Sequence, residues 1–153
     1  MRLLLLSFFL SSLLFAYEKG DTVDDKMLQH LGLEADKVYV IDFFASWCSS
    51  CKKEIPLISK ANEKIDTSKV EIIGIDVDKV PEKGLEFQKM LQEKDQLNFR
   101  VINDPQNLII SKFNPKGMPT LFYVKDKVVF KITTGAVDNI DEEILNTLNK
   151  HLK

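Results

Sequence analysis

Residues 38–56 read VYVIDFFASWCSSCKKEIP, and this stretch decides the architecture. Val38 to Phe44 is a near-continuous run of β-branched and aromatic residues, the pattern of a strand buried on both faces. One carboxylate, Asp42, interrupts it. Directly after the run come Trp47-Cys48-Ser49-Ser50-Cys51, and then a helical pattern to about Ile65, with Ile55, Ile58, Ala61 and Ile65 on one face. Pro56 lies well inside this helix and is expected to kink it. Two cysteines three apart at a helix start place the first thiol at the helix N-terminus and the second one turn in, close enough for a disulfide within the motif. Unpaired N–H groups and the helix dipole stabilise a thiolate at Cys48. Cys51 can then attack a mixed disulfide formed at Cys48 and release the partner. Asp42, an acid in an apolar strand, is expected to be buried with a raised pKa and to take the proton from Cys51. Trp47 reads as a partly exposed wall of the site. Lys52 and Lys53 either add positive potential near Cys48 or solvate the helix.

Outward from this centre, Met27, Leu28 and Leu31 mark a short helix ending near Gly32. Val70 to Val77 is a second buried strand. Pro81 opens a helix to about Lys94, Phe99 to Ile102 is a short strand, and Gln106 to Phe113 a short helix. Thr120 to Val124 and Val128 to Thr133 form a hairpin through Lys125-Asp126-Lys127, and Asp138 or Asn139 caps a last amphipathic helix. Helices and strands in this order predict an α/β fold: a mixed central sheet, parallel with a closing antiparallel hairpin, and helices on both faces.

The 153 residues suit one domain rather than two. With 21 basic and 23 acidic side chains the formal charge is -2, which gives no support to nucleic-acid binding. Two cysteines exclude a disulfide-dense mini-protein and a four-thiolate zinc site. His30 and His151 lie far from the pair along the chain, so neither a metal nor another cofactor is expected, and a Cys-His hydrolase lacks its poised base. No Pro-x-x-x-Thr-x-x-Cys stretch is present, which argues against a peroxiredoxin. Residues 1–16 carry Arg2, an apolar run from Leu3 to Phe15 broken by serines, and Ala16. These are the parts of a secretory signal peptide; large Leu14 near the cleavage position leaves a short anchor as the alternative. Residues 17–153 are then the domain, placed in the periplasm or another extracytoplasmic space, and tethered to the membrane where the leader is kept as an anchor; there a Cys pair can rest oxidised.

The stretch Val38–Pro56 strongly resembles the thioredoxin superfamily, and Lys52–Pro56 (KKEIP) resembles its TlpA-like branch of exported thiol reductases, which includes the ResA and CcmG types. Gly117-Met118-Pro119-Thr120 resembles the family's cis-proline loop, which faces the CxxC. The segment from Pro81 to Ile102 resembles the branch's extra helix and strand. The resemblance implies a thioredoxin-like three-layer fold and a thiol-disulfide oxidoreductase acting as a reductant. It implies Trp47, Met118 and Pro119 as partner-contacting residues, with a cis bond at Met118-Pro119. Its partners would be exported proteins with thiols or disulfides, apocytochrome c among the candidates, and a membrane thiol donor upstream; a monomer is expected. A disulfide-donating oxidant and a non-catalytic thiol or metal chaperone remain alternatives. Asp42 departs from the exported cytochrome c reductases, which often carry Asn there, and Lys79 falls where the branch tends to place a Glu, with Asp78 and Glu82 as substitutes. Ser49-Ser50 stand in place of the branch's acidic-Pro pair.

Overall fold

The computed structural model describes residues 16–152. The expected leader, residues 1–16, lies outside the described residues except for Ala16. The elements run α1 (Asp25–Leu31), β1 (Val38–Phe44), α2 (Ser49–Asn62), β2 (Val70–Asp76), α3 (Pro81–Gln92), β3 (Arg100–Asn103), α4 (Ile110–Phe113), β4 (Thr120–Lys125), β5 (Val128–Thr134) and α5 (Ile140–His151). The sheet order is β3-β2-β1-β4-β5. β1 and β2, and β2 and β3, pair in parallel; β4 runs antiparallel to both β1 and β5.

β1 lies at the centre of the sheet, and all seven of its residues are buried. Its pleat separates two cores. Val38, Val40 and Phe44 join Ile55, Ile58 and Ala61 of α2, Phe87 and Leu91 of α3, and Ile140, Ile144 and Leu148 of α5. Tyr39, Ile41 and Phe43 face Met27, Leu28 and Leu31 of α1 and Phe113 of α4. Helices therefore cover both faces of a mixed sheet, the three-layer arrangement expected. Asp42 has the parity of Val40 and Phe44, so it points to the α2 side.

Three local readings change. The helix expected from Gln106 is shorter, because Asp104 accepts the amide hydrogens of Leu108, Ile109 and Ile110 at 2.7, 3.0 and 2.8 Å and delays the start of α4. Lys125 belongs to β4, so the hairpin turns on Asp126 and Lys127 alone, both at positive φ. The segment before α1 also has a role that its polarity hid. Gly20 N and Val23 N donate to Val129 O and Lys127 O at 2.7 and 2.8 Å, which covers the edge of β5.

Candidate functional site

Cys48 is the N-cap of α2, in an extended conformation. It is joined by a disulfide to Cys51, with a Cα–Cα separation of 5.3 Å. The Cys51 amide donates to Cys48 Sγ at 3.2 Å, so the first sulfur occupies the position where a helix offers free N–H groups. Cys48 keeps 6% of its surface exposed and Cys51 1%. Trp47, just ahead of them, is 67% exposed. α2 runs through Pro56, whose missing N–H leaves the Lys52 carbonyl without its intrahelical donor.

The loop between β1 and α2 is held from the end of β2. Asp78 accepts from Ser46 N at 2.6 Å and from Ser46 Oγ at 2.8 Å. Asp76 Oδ1 accepts from Asp78 N at 2.9 Å, and Gln88 of α3 donates to Asp76 Oδ2 at 2.6 Å. A continuous polar chain thus runs from the CxxC loop to the inserted helix. Asp78, considered in the sequence only as a substitute for a missing Glu, positions Ser46 instead.

Just ahead of β4, the Met118-Pro119 bond is cis. Thr120 Oγ1 donates to Gly117 O at 2.7 Å, and Gly135 N to Pro119 O at 2.9 Å. Met118 is half-buried and packs against the core cluster that contains Cys48 and Cys51.

Beneath α2 lie two buried acids. Asp42 is 1% exposed and its Oδ1 has no hydrogen-bond partner. Burial, with the nearby Glu54 charge adding, holds its carboxyl well above the ordinary carboxylate range. Glu54 is likewise buried, with both carboxylate oxygens unpaired. Burial first, and then the charge of Glu143, push it up to about 7. Glu54 lines a groove of about 460 Å³ with Ser49, Ser50, Lys53, Leu57, Val137 and Asp138. The sequence reading did not single out Glu54, because a glutamate three residues after a cysteine on a helix reads as solvated. The signal was its spacing: Glu54 is one residue from Ile55 and four from Ile58, at the border of the apolar face.

A model of the AhpC/TSA family matches residues 15–132. The chain belongs to that family. Among curated relatives, a thiol-disulfide oxidoreductase ResA from Bacillus cereus is 31% identical over 112 residues, covering 72% of this chain and 62% of the relative. ResA from Bacillus subtilis is 26% identical over 98 residues, covering 63% and 52%. The chain therefore spans about three fifths or less of the length of these two relatives. Among solved structures, a Chlorobium tepidum protein assigned to the DsbE thiol:disulfide interchange proteins superposes with a TM-score of 0.76 at 22% identity, covering 90% of this chain and all of that one. A secreted Mycobacterium tuberculosis disulfide oxidoreductase homologous to E. coli DsbE gives 0.66 at 20% identity, covering 83% and 99%. These likenesses bear out the thioredoxin-like fold and the TlpA-like resemblance read from residues 38–56.

Proposed function

We propose that this protein is an exported thiol-disulfide oxidoreductase that reduces protein disulfides through Cys48 and Cys51. The observation that carries the reading is the Cys48–Cys51 disulfide at the N-terminus of α2, with Cys48 Sγ receiving a helix amide. In the reduced protein the Cys48 thiolate attacks one sulfur of a partner disulfide. A Cys48–partner bond forms and one partner thiolate leaves. Cys51 gives its proton to Asp42 and attacks Cys48 Sγ, which closes the intramolecular disulfide and releases the second partner thiolate. Two electrons pass to the partner, and a dithiol donor must return two to the pair. Trp47, next to Cys48 in the chain, and Met118 with Pro119, where Met118 packs against the cluster that contains both cysteines, contact the partner chain. Met118 offers its backbone to an extended segment in the manner of strand addition.

The likeness to the ResA thiol-disulfide oxidoreductases supports thiol exchange, and the likeness to a secreted disulfide oxidoreductase fits a place outside the cytoplasm. The partners are exported proteins with oxidised cysteines, apocytochrome c among them, and the upstream donor is a membrane thiol protein. Among the described residues no helix is long and apolar enough to cross a membrane. Residues 1–16 supply the export signal or a short tether.

Titration of the pair against a glutathione series tests the direction of electron flow. A potential near that of thioredoxin, about -270 mV, fits a reductant, whereas one near about -120 mV overturns it in favour of an oxidant. Cys51→Ala in cells should trap the partners as mixed disulfides with Cys48. A variant that captures none, when the intact pair also turns over no protein disulfide, overturns the reading.

A further inference from the structure

On the side of α2 away from Glu54 lies a second groove, which the exchange steps leave unused. Ser46, Lys52, Lys83, Glu86, Phe87 and Met90 line an open depression of about 420 Å³ between α2 and α3. Its floor is apolar: Phe87 is buried, and Met90 exposes its side chain along the same helix. Trp47 and Val80 expose further apolar surface at the end of the two helices nearest Cys48.

The walls are charged with one sign in excess. Two lysines face a single carboxylate, Glu86. Among the described residues neither Lys52 nor Lys83 forms an ion pair. Lys52 Nζ instead lies 5.7 Å from the centroid of the Phe87 ring. At the Cys48 end exposed Lys79, which follows directly on Asp78, is balanced by exposed Glu82 in the first turn of α3, so the excess is that of Lys52 and Lys83 over Glu86. This excess stands on a molecule whose formal charge is -2. The groove on the Glu54 side has no such excess, since Lys53 is matched there by Asp138 and Glu54.

The walls are also fixed before any partner arrives. Ser46 is tied to Asp78, Asp78 to Asp76, and Asp76 to Gln88 of α3. Gly84 of α3 sits against the Asp76 carboxylate, where a Cβ would collide with it. A groove held in this way loses little entropy on binding.

Ser46 lies two residues before Cys48 and Lys52 four after it, so the groove begins within about one helical turn of the reacting cysteine along the chain. A partner whose cysteine is bonded to Cys48 carries neighbouring residues at roughly 3.3 Å per position in extended conformation, which brings those two to four positions away over such a groove. We propose that the α2–α3 groove docks an acidic segment with an apolar residue, located two to four positions from the partner's reactive cysteine. It thereby selects which disulfides the protein exchanges with. This rests on the thiol-exchange reading above. Unpaired lysines meet the carboxylates, and Phe87 with Met90 takes the apolar residue.

Two peptide disulfides test it, identical except that Asp-Leu-Glu or Lys-Leu-Lys occupies positions two to four from the cysteine on both sides. Mixed-disulfide formation is timed with the reduced full chain. The acidic peptide should react about tenfold faster at low salt, with the ratio narrowing at about 0.3 M salt. Lys52→Glu with Lys83→Glu should reverse the preference, and Glu86→Lys should widen it. The ratio cancels any change in the Cys48 thiolate, which both peptides meet equally, and loss of folding cannot move it in opposite directions. Equal rates for the two peptides, or a ratio that neither variant moves, overturns the docking site while leaving thiol exchange in place. Failure of both peptides to exchange at all overturns the thiol-exchange reading and the docking site with it.

Discussion

At Cys48 the sulfur holds the N-cap position of α2 and accepts the Cys51 amide hydrogen, whereas Cys51 sits one turn in and is almost fully covered. Helix N–H groups stabilise negative charge at the first sulfur and not at the second. Pulse alkylation of the reduced protein at about pH 6 should therefore label Cys48 first, and mass mapping that finds Cys51 labelled first would reject Cys48 as the nucleophile. Asp42 belongs to the same scale. Its carboxyl is held well above the usual range by burial and by Glu54, which makes it a stronger acceptor for the Cys51 proton than an ordinary carboxylate. Asp42→Asn keeps the shape and removes the titration. Release of a partner from the mixed disulfide should slow about tenfold or more, with the pH dependence between 6 and 8 flattened. Stopped-flow resolution at the wild-type rate across that range would remove Asp42 from the mechanism.

Elements meet the site through one inserted unit. α3 and β3 extend the sheet beyond β2, and Gln88 carries that unit's hydrogen bonds to Asp76 and to Asn103, at 2.6 and 2.7 Å. The sheet beneath admits no extra volume at Gly74, the β2 partner of Asp42. A Cβ there would stand 2.7 Å from Phe44 Cε1 and 3.1 Å from Phe99 Cε2. Gly74→Ala must push both rings off their positions. It should cost about 1–3 kcal/mol, read as a lower urea midpoint with unchanged slope. An unaltered midpoint would mean that the rings repack freely and that the close approach has no energetic weight.

For the whole molecule, the two buried acids tie stability to pH. A carboxyl whose folded pKa is raised binds its proton more tightly folded than unfolded. Below the unfolded value both states are protonated and nothing is lost; as pH rises beyond it, ionisation favours the unfolded chain. For Glu54 the window runs from its ordinary 4.5 to about 7. Asp42 shifts in the same direction. Stability of the oxidised protein should fall between pH 5 and pH 8, with Glu54 contributing about 1–3 kcal/mol after allowance for solvent near the groove. Glu54→Gln should flatten the curve and raise the melting temperature at pH 8 but not at pH 5. Parallel curves for the variant and wild type would show that Glu54 ionises as an ordinary surface carboxylate.

Much of this was legible in the chain itself. The near-continuous apolar run from Val38 to Phe44 is best satisfied by a strand covered on both faces, and Cys48 and Cys51 lie one turn apart on any helix that starts there. Element order and the antiparallel close also follow from local pattern, because hydrophobic period and turn residues act over a few neighbours. Where local pattern competes with distant groups, only the tertiary structure decides. Asp104 shortened α4 by drawing three amides to one carboxylate, and the polar stretch at Gly20–Val23 acquired a purpose only when β5 offered it an edge. Glu54 looks solvated in the sequence and is buried because α2 presses its border residues toward Asp42. The polar chain from Ser46 to Gln88 spans 42 positions and exists only once β2 and α3 are in place. Burial and the pairing of buried polar groups are properties of what the fold brings together, and no window along the chain contains them.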